Sequence, residues 1–371
     1  MIPACLSEDW TFWPEREDLS AEFMRLLTAA QDGGATIAEC LLIARQIGRG
    51  DALSWHCEWK NLAEINRERA EAALASGHRA TAQRNWLCAI NYYNAAALPL
   101  DPADEKRRAS ILAMQECARA LVEARDPAGE VVALPWLGDH SLQGYFLPAP
   151  SVNGPAPTVI CIGEPGHRKE EFLFKLAPYA RERGLSMLAV DLLGEQGDDF
   201  LEQIVRRRDI ETSISAIVDY LSSRSDVDFT RVAILADGWS SSFVARAVVH
   251  EPRLAAAVCD GGLWDLHERA FLANRIMRPD VGLVPAPQMT LIAGNIRCPV
   301  LITLGDDGWL KPDRARQMVE ELRFGRQDVT LKVFTAEETA AAQGHSDNPS
   351  LANEYIFDWL ASRLGEMAPQ A

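Results

Sequence analysis

The chain has 371 residues, 48% of them hydrophobic and 24% charged, which is enough apolar material for one large domain and a smaller one. A formal net charge of -16 argues against nucleic acid or an anionic membrane surface as partner, because both call for a basic face. No apolar run reaches the ~18 residues of a membrane span, and the opening "MIPACLSEDWTFWPERED" lacks the basic start and apolar stretch of a signal peptide, so a cytoplasmic protein is expected.

Up to about residue 125 the apolar residues recur three and four apart, the period of helices. Helices are expected in "SAEFMRLLTAAQ", "TIAECLLIARQI", "ALSWHCEWKNLAEINRERAEAALAS", "RATAQRNWLCAINYYNAAALPL" and "DEKRRASILAMQECARALVEA". Ser20 and Thr36 read as N-caps and Gly77 as a C-cap. Aromatic residues crowd this part: Trp10, Phe12, Trp13, Trp55, Trp59, Trp86, Tyr92 and Tyr93. At helical spacing they build a core or a homodimer contact, and some of them, in "AQRNWLCAINYYNAA" above all, roof a pocket for a flat substrate.

From "GEVVALPW" onward short apolar runs alternate with helical stretches. The strands expected are "GEVVALPW", "SLQGYFLPA", "PTVICIG", "LSMLAVDLLG", "RVAILAD", "LAAAVCDGG", "CPVLITLGDD" and "VTLKVF". The helices between them are "KEEFLFKLAPYARERG", "IETSISAIVDYLSSR", "SSFVARAVVHEP" and "PDRARQMVEELRFG". That alternation implies a mostly parallel, doubly wound sheet opened by a hairpin, with strands buried on both faces. The expected division is a helical lid over 1–127 and an α/β core over 128–371, with a small cap insertion over 266–292. The eight cysteines show no C-x-x-C pair and read as free, largely buried thiols of a reducing compartment. No phosphate loop and no dinucleotide turn occurs, and no metal spacing, so neither cofactor nor metal is implied.

Sites in such sheets form at the carboxyl ends of the strands. The loops to search are 163–171, 191–199, 236–241, 260–265, 305–313 and 341–348. These loops, in that order, resemble the α/β-hydrolase fold. More narrowly, the chain resembles the branch with an N-terminal helical lid that includes the FrsA-like proteins, 2,6-dihydroxypseudooxynicotine hydrolase and fungal pigment polyketide-shortening hydrolases. "GHRATAQRNWLCAINYYNAA" is similar to that branch's lid segment, "GEPGHRKEEF" to the loop supplying part of the oxyanion hole, and "GHSDNPSLANEYIFDWLASRL" to the catalytic-histidine loop and last helix. The resemblance covers nearly the whole chain.

By that resemblance His345 is the catalytic histidine. The strand–turn–helix at 231–247 occupies the nucleophile elbow, where Gly-x-Ser-x-Gly is usual. Anchored without gaps on Arg231-Val232 and on Arg246 with Glu251-Pro252, the serine position falls on Gly238. The acid position, anchored on Gly305 and Pro312, falls on Gly308, which leaves Asp307 beside it as the group to orient His345. Three readings stay open. Ser240 attacks, after a two-residue slide of the elbow. Asp237 is the nucleophile, a base or the partner of a nearby cation. Or no side chain attacks, and His345 with Asp307 activates water or abstracts a proton. For the oxyanion hole the Trp239 amide is one donor. Pro165 has no N–H, so Glu164 or Gly166 is the other, and His167 faces the substrate from the same loop.

The function expected is an enzyme acting on a carbonyl compound: an ester, a thioester or a carbon–carbon bond of a diketo, polyketide-like or aromatic small molecule. The alternatives are a cyclase, lyase or isomerase using His345 as base, or a binding protein with a degenerate site.

Overall fold

The computed structural model describes residues 12–48, 50–136, 141–150, 154–163, 168–192, 211–262, 296–308, 310–324 and 328–365. Among the described residues five helices come first: α1 (Glu17–Thr28), α2 (Ile37–Gln46), α3 (Ala52–Ala75), α4 (Arg79–Ala97) and α5 (Glu105–Glu123). Thr36 caps α2 as its sequence position implies, its hydroxyl accepting from the Glu39 amide at 3.3 Å. Gly77 ends α3 in the left-handed region at φ +78°, and the His78 amide reaches back to Ala73 O at 2.8 Å. Ser20 is not a cap. It lies inside α1, which starts after Arg16, and its hydroxyl both accepts from the Trp13 amide and donates to the Trp13 carbonyl. A serine bonded to backbone outside its own helix serves the preceding turn instead.

All eight expected strands form one sheet: β1 (Glu130–Pro135), β2 (Ser141–Leu147), β3 (Ala156–Ile162), β4 (Ser186–Asp191), β5 (Val227–Asp237), β6 (Ala256–Asp260), β7 (Val300–Gly305) and β8 (Val329–Phe334). Their order is β1-β2-β4-β3-β5-β6-β7-β8. The opening hairpin is antiparallel, β2 also runs antiparallel to β4, and every later pairing is parallel. The remaining helices among the described residues are α6 (Phe172–Lys175), α7 (Ala177–Glu182), α8 (Glu211–Ser222), α9 (Ser241–His250), α10 (Pro312–Phe324) and α11 (Pro349–Gly365). "KEEFLFKLAPYARERG", expected as one helix, is two, because Pro178 lacks the amide that would continue α6 and serves the first turn of α7.

Period-2 alternation sends successive strand residues to two cores. Val159, Cys161, Ala233, Leu235 and Val258 face one cluster, together with α6, α7, α11 and the five N-terminal helices. Ile160, Ile162, Val232, Ile234 and Cys259 face the other, together with α8, α9 and α10. The boundary expected at 127/128 falls in the turn between α5 and β1, and the first cluster runs across it without a break. Trp55, Trp59, Tyr92 and Tyr93 are all buried in that cluster. The insertion expected over 266–292 lies outside the described residues. No helix among the described residues is long and apolar enough to cross a membrane, and the seven described cysteines are free thiols.

Alternation also aims the strand ends. Ala236 and Cys259 face the second core, so the next residues, Asp237 and Asp260, face the first, toward α6. They are register partners on neighbouring parallel strands. The N-terminal helices hold α6 in place: Asn94 donates to Glu171 at 3.0 Å, and the Phe174 ring packs so close to Gly34 that a side chain there has no room.

Candidate active site

β5 ends at Asp237, a single 3-10 turn covers Gly238–Ser240, and α9 follows. The tip of this tight turn is Gly238, at φ +52°. A glycine takes that left-handed conformation without the Cβ penalty. It also lets β6's loop come close: a Cβ on Gly261 would lie 3.2 Å from Gly238 Cα.

His345 sits in a second 3-10 turn, Gln343–His345, at φ +54° and only 2% exposed. Phe334 from the end of β8 meets its ring edge-on at 5.0 Å. One ring nitrogen, Nδ1, lies 2.6 Å from the Ala340 carbonyl oxygen. The other, Nε2, lies 2.9 Å from Asp260 Oδ1. Thr303 on β7 donates its hydroxyl to the same Asp260 oxygen at 2.8 Å.

The group on the imidazole is therefore Asp260 and not Asp307. Asp307 and Asp306 are held by their backbone amides, which donate to Ala341 O and Phe334 O. β7 can end so close to the histidine loop because residue 305 is glycine: a Cβ there would lie 2.1 Å from Ala341 O.

The protonation of the pair follows from its partners. A carbonyl oxygen and a carboxylate only accept, so the ring donates from both nitrogens, which is what imidazolium does. The electrostatics agree. Burial pulls the His345 pKa down, but the charge and hydrogen bond of Asp260 outweigh it and the net shift is upward. Burial pushes Asp260 up, but His345, then Lys175 and Thr303, bring it below the ordinary carboxylate value.

Lys175, the last residue of α6, completes the cluster. Its ammonium lies 3.2 Å from Asp237 Oδ2. Burial lowers its pKa, and Asp237, Asp260 and Glu171 more than reverse that. Of the expectations for Asp237, the one matching this geometry is the partner of a nearby cation.

Ser240 is turned elsewhere: its hydroxyl donates to Gly163 O at 2.8 Å, and the residue is buried. Ser241 donates to Ala236 O and Asp260 O. Neither hydroxyl bonds the imidazole. Trp239 continues the turn with its backbone at the start of α9. Glu164, Gly166 and His167 lie outside the described residues.

Two members of the cluster escaped the sequence reading. Asp260 carried a signal: it is the polar residue ending the buried run "AAAVCD", in one of the loops marked for search. Lys175 carried none, since a lysine inside an amphipathic helix reads as solvated. Among the described residues no group of three or more His, Cys, Asp or Glu is arranged to hold a metal ion.

Residues 45–277 match the family model described as FrsA-like, "Esterase FrsA-like". The chain is similar to "Hydrolyase poxO" of Penicillium oxalicum, 28% identical over 70% of this chain and 63% of that protein. It is also similar to "20-hydroxy-prefusarin hydrolase FUS2" of Gibberella moniliformis, 32% identical over 67% of this chain and 61% of that protein. It thus spans about six tenths of the length of these relatives. Among solved structures, the 2,6-dihydroxy-pseudo-oxynicotine hydrolase superposes with a TM-score of 0.71 at 19% identity, covering 93% of this chain and 98% of that one. AbyA5 superposes with a TM-score of 0.61 at 16% identity, covering 94% and 99%. At those identities the superpositions carry the α/β-hydrolase fold and no more.

Proposed function

Because the chain belongs to the FrsA-like esterase family, we propose that it is a hydrolase-type enzyme that cleaves a small carbonyl compound without a serine nucleophile. The observation that carries this is the buried His345–Asp260 pair, 2.9 Å apart at the carboxyl edge of the sheet, beside a turn whose tip is Gly238. A glycine has no side chain to attack with, and the Ser240 hydroxyl is committed to Gly163 O. Water is the remaining nucleophile. As its oxygen bonds to the carbonyl carbon, its proton passes to the Asp260 carboxylate, the base of the ion pair, the His345 imidazolium gives a proton to the leaving group, and Asp260 then returns its proton to the ring. Lys175 keeps the cluster near neutrality, with two cations facing two carboxylates. The names of the relatives, one a hydrolase of 20-hydroxy-prefusarin, support a polyketide-like substrate.

The test uses p-nitrophenyl butyrate, a thioester and the diketone benzoylacetone as probes. His345→Gln and Asp260→Asn should each lower kcat/KM by about 10²–10⁴, whereas Ser240→Ala should stay within about threefold of wild type. A serine-directed phosphonate should leave Ser240 unlabelled. Labelling of Ser240, with loss of turnover in Ser240→Ala, would restore the serine mechanism. A second reading, a member that binds its ligand without turning it over, is favoured by the saturation of both ring nitrogens. It predicts no turnover of any probe, together with saturable binding of benzoylacetone.

A further inference from the structure

Away from the His345 cluster, three of the N-terminal helices flank an open cavity of about 470 Å³. Small-ligand sites run from roughly 300 to 1,000 Å³. The cavity lies between the start of α2, the middle of α3 and the first turns of α4, and no residue of the His345 cluster lines it. Its lining carries one carboxylate, Glu39, and two guanidinium groups, Arg69 and Arg84. Glu39 is filled. It accepts from the Thr36 hydroxyl at 3.0 Å, the Tyr92 hydroxyl at 2.9 Å, Asn66 Nδ2 at 3.3 Å and Arg69 Nη1 at 2.8 Å, which matches the acceptor capacity of a carboxylate. Arg84 is exposed and makes no hydrogen bond or ion pair with any described residue. Its guanidinium lies over Gly33, where a Cβ would come within 3.4 Å of Nη1.

Asn66, only 2% exposed, supplies a second unmet group on the α3 wall. Its Nδ2 donates to Glu39 and to the Leu62 carbonyl at 3.0 Å. Both partners only accept, so the orientation of the amide is fixed. Its Oδ1 accepts from no described residue and is left open. A buried acceptor on a cavity wall calls for a donor from whatever fills the cavity. We propose that this cavity binds a small hydroxylated organic anion, its anionic oxygens on Arg84 and Arg69 and its hydroxyl donating to Asn66. The anionic head is a carboxylate or a phosphate ester, since a guanidinium grips either through paired N–H groups. A cation has no free carboxylate to meet here. In a chain of net charge -16, two guanidinium groups against one carboxylate make a local site for negative charge.

The test is calorimetric titration of the full chain at low salt with four probes: malate and glycerol 3-phosphate, and their counterparts without the hydroxyl, succinate and methyl phosphate. Wild type is compared with Arg84→Ala and Arg84→Glu, whose exposed position lets both keep the wild-type Tm. The expected result is saturable binding of malate or of glycerol 3-phosphate, one per chain. Binding should be about tenfold or more weaker in Arg84→Ala and absent in Arg84→Glu. The counterpart without the hydroxyl should bind about fivefold more weakly. Binding of malate alone supports a carboxylate head, and of glycerol 3-phosphate alone a phosphate head. No saturable binding of any probe overturns the proposal, and so does binding that both Arg84 variants retain. A counterpart that binds as tightly as its hydroxylated partner overturns the contact with Asn66 and with it the hydroxylated class.

Discussion

Gly305 and Gly261 are held by space, and His345 by its partners. A methyl group on Gly305 would overlap the Ala341 carbonyl, so Gly305→Ala must part β7 from the histidine loop. It is expected to destabilise by more than the ~1–3 kcal/mol typical of overpacking, read as a fall in Tm. Gly261→Ala faces both a positive φ of 96° and the Gly238 backbone, and should cost both stability and turnover. The His345–Asp260 pair predicts a pH dependence. The histidine's folded pKa is raised, so its contribution is complete below the ordinary imidazole value and is lost as pH rises through the folded one. The aspartate's folded pKa is lowered, so its contribution is present above the ordinary carboxylate value and is lost as pH falls through the folded one. The Tm gap between wild type and Asp260→Asn should therefore be widest between roughly pH 4 and 6.5 and should narrow on either side. A gap that is flat with pH would sink the ion-pair assignment. At this scale the sequence was legible in part. His345 and the glycine at 238 follow from position along the chain. The partner of His345 does not, because Asp260 ends β6 and Asp307 follows the end of β7, and only packing decides which one meets the ring.

Helix ends and strand ends were legible for a different reason. A cap or a strand is decided within a few residues, by hydrogen bonds to near neighbours and by the period of the apolar residues. Thr36 and Gly77 act as their positions imply. Thr36→Ala should cost about 1 kcal/mol, the usual value of an N-cap, and should disturb Tyr92 as well, since Thr36 and Tyr92 share Glu39 as acceptor. Gly77→Ala should cost about 1–2 kcal/mol through backbone strain alone, because nothing lies within 4 Å of the added methyl. Thermal melts of the two variants check both figures. Ser20 shows where local reading stops. Its residue type suits a cap, but Trp13 supplies both of its hydrogen bonds from the preceding turn. α6 and α7 show the same limit, since the break at Leu176 depends on how Pro178 competes with a run of good helix formers.

For the molecule as a whole, one apolar cluster joins the five N-terminal helices to a face of the sheet. Trp59→Ala, at a fully buried position in α3, should cost about 3–5 kcal/mol. The loss should appear in one cooperative transition, with tryptophan fluorescence and far-ultraviolet circular dichroism melting together. Two separated transitions would mean that the helices fold as an independent unit. Removing residues 1–127 should leave an insoluble remainder, because the face they cover is apolar. The sequence by itself determined the strands, their mostly parallel arrangement, the helical first third and the place of His345, because each is written in periodicity or in order along the chain. Only the tertiary structure decided that Asp260 meets the imidazole and that Lys175 neutralises Asp237. Those groups are separated by scores of residues, and contact between them depends on strand register and on how the helices pack across the sheet, neither of which local pattern encodes.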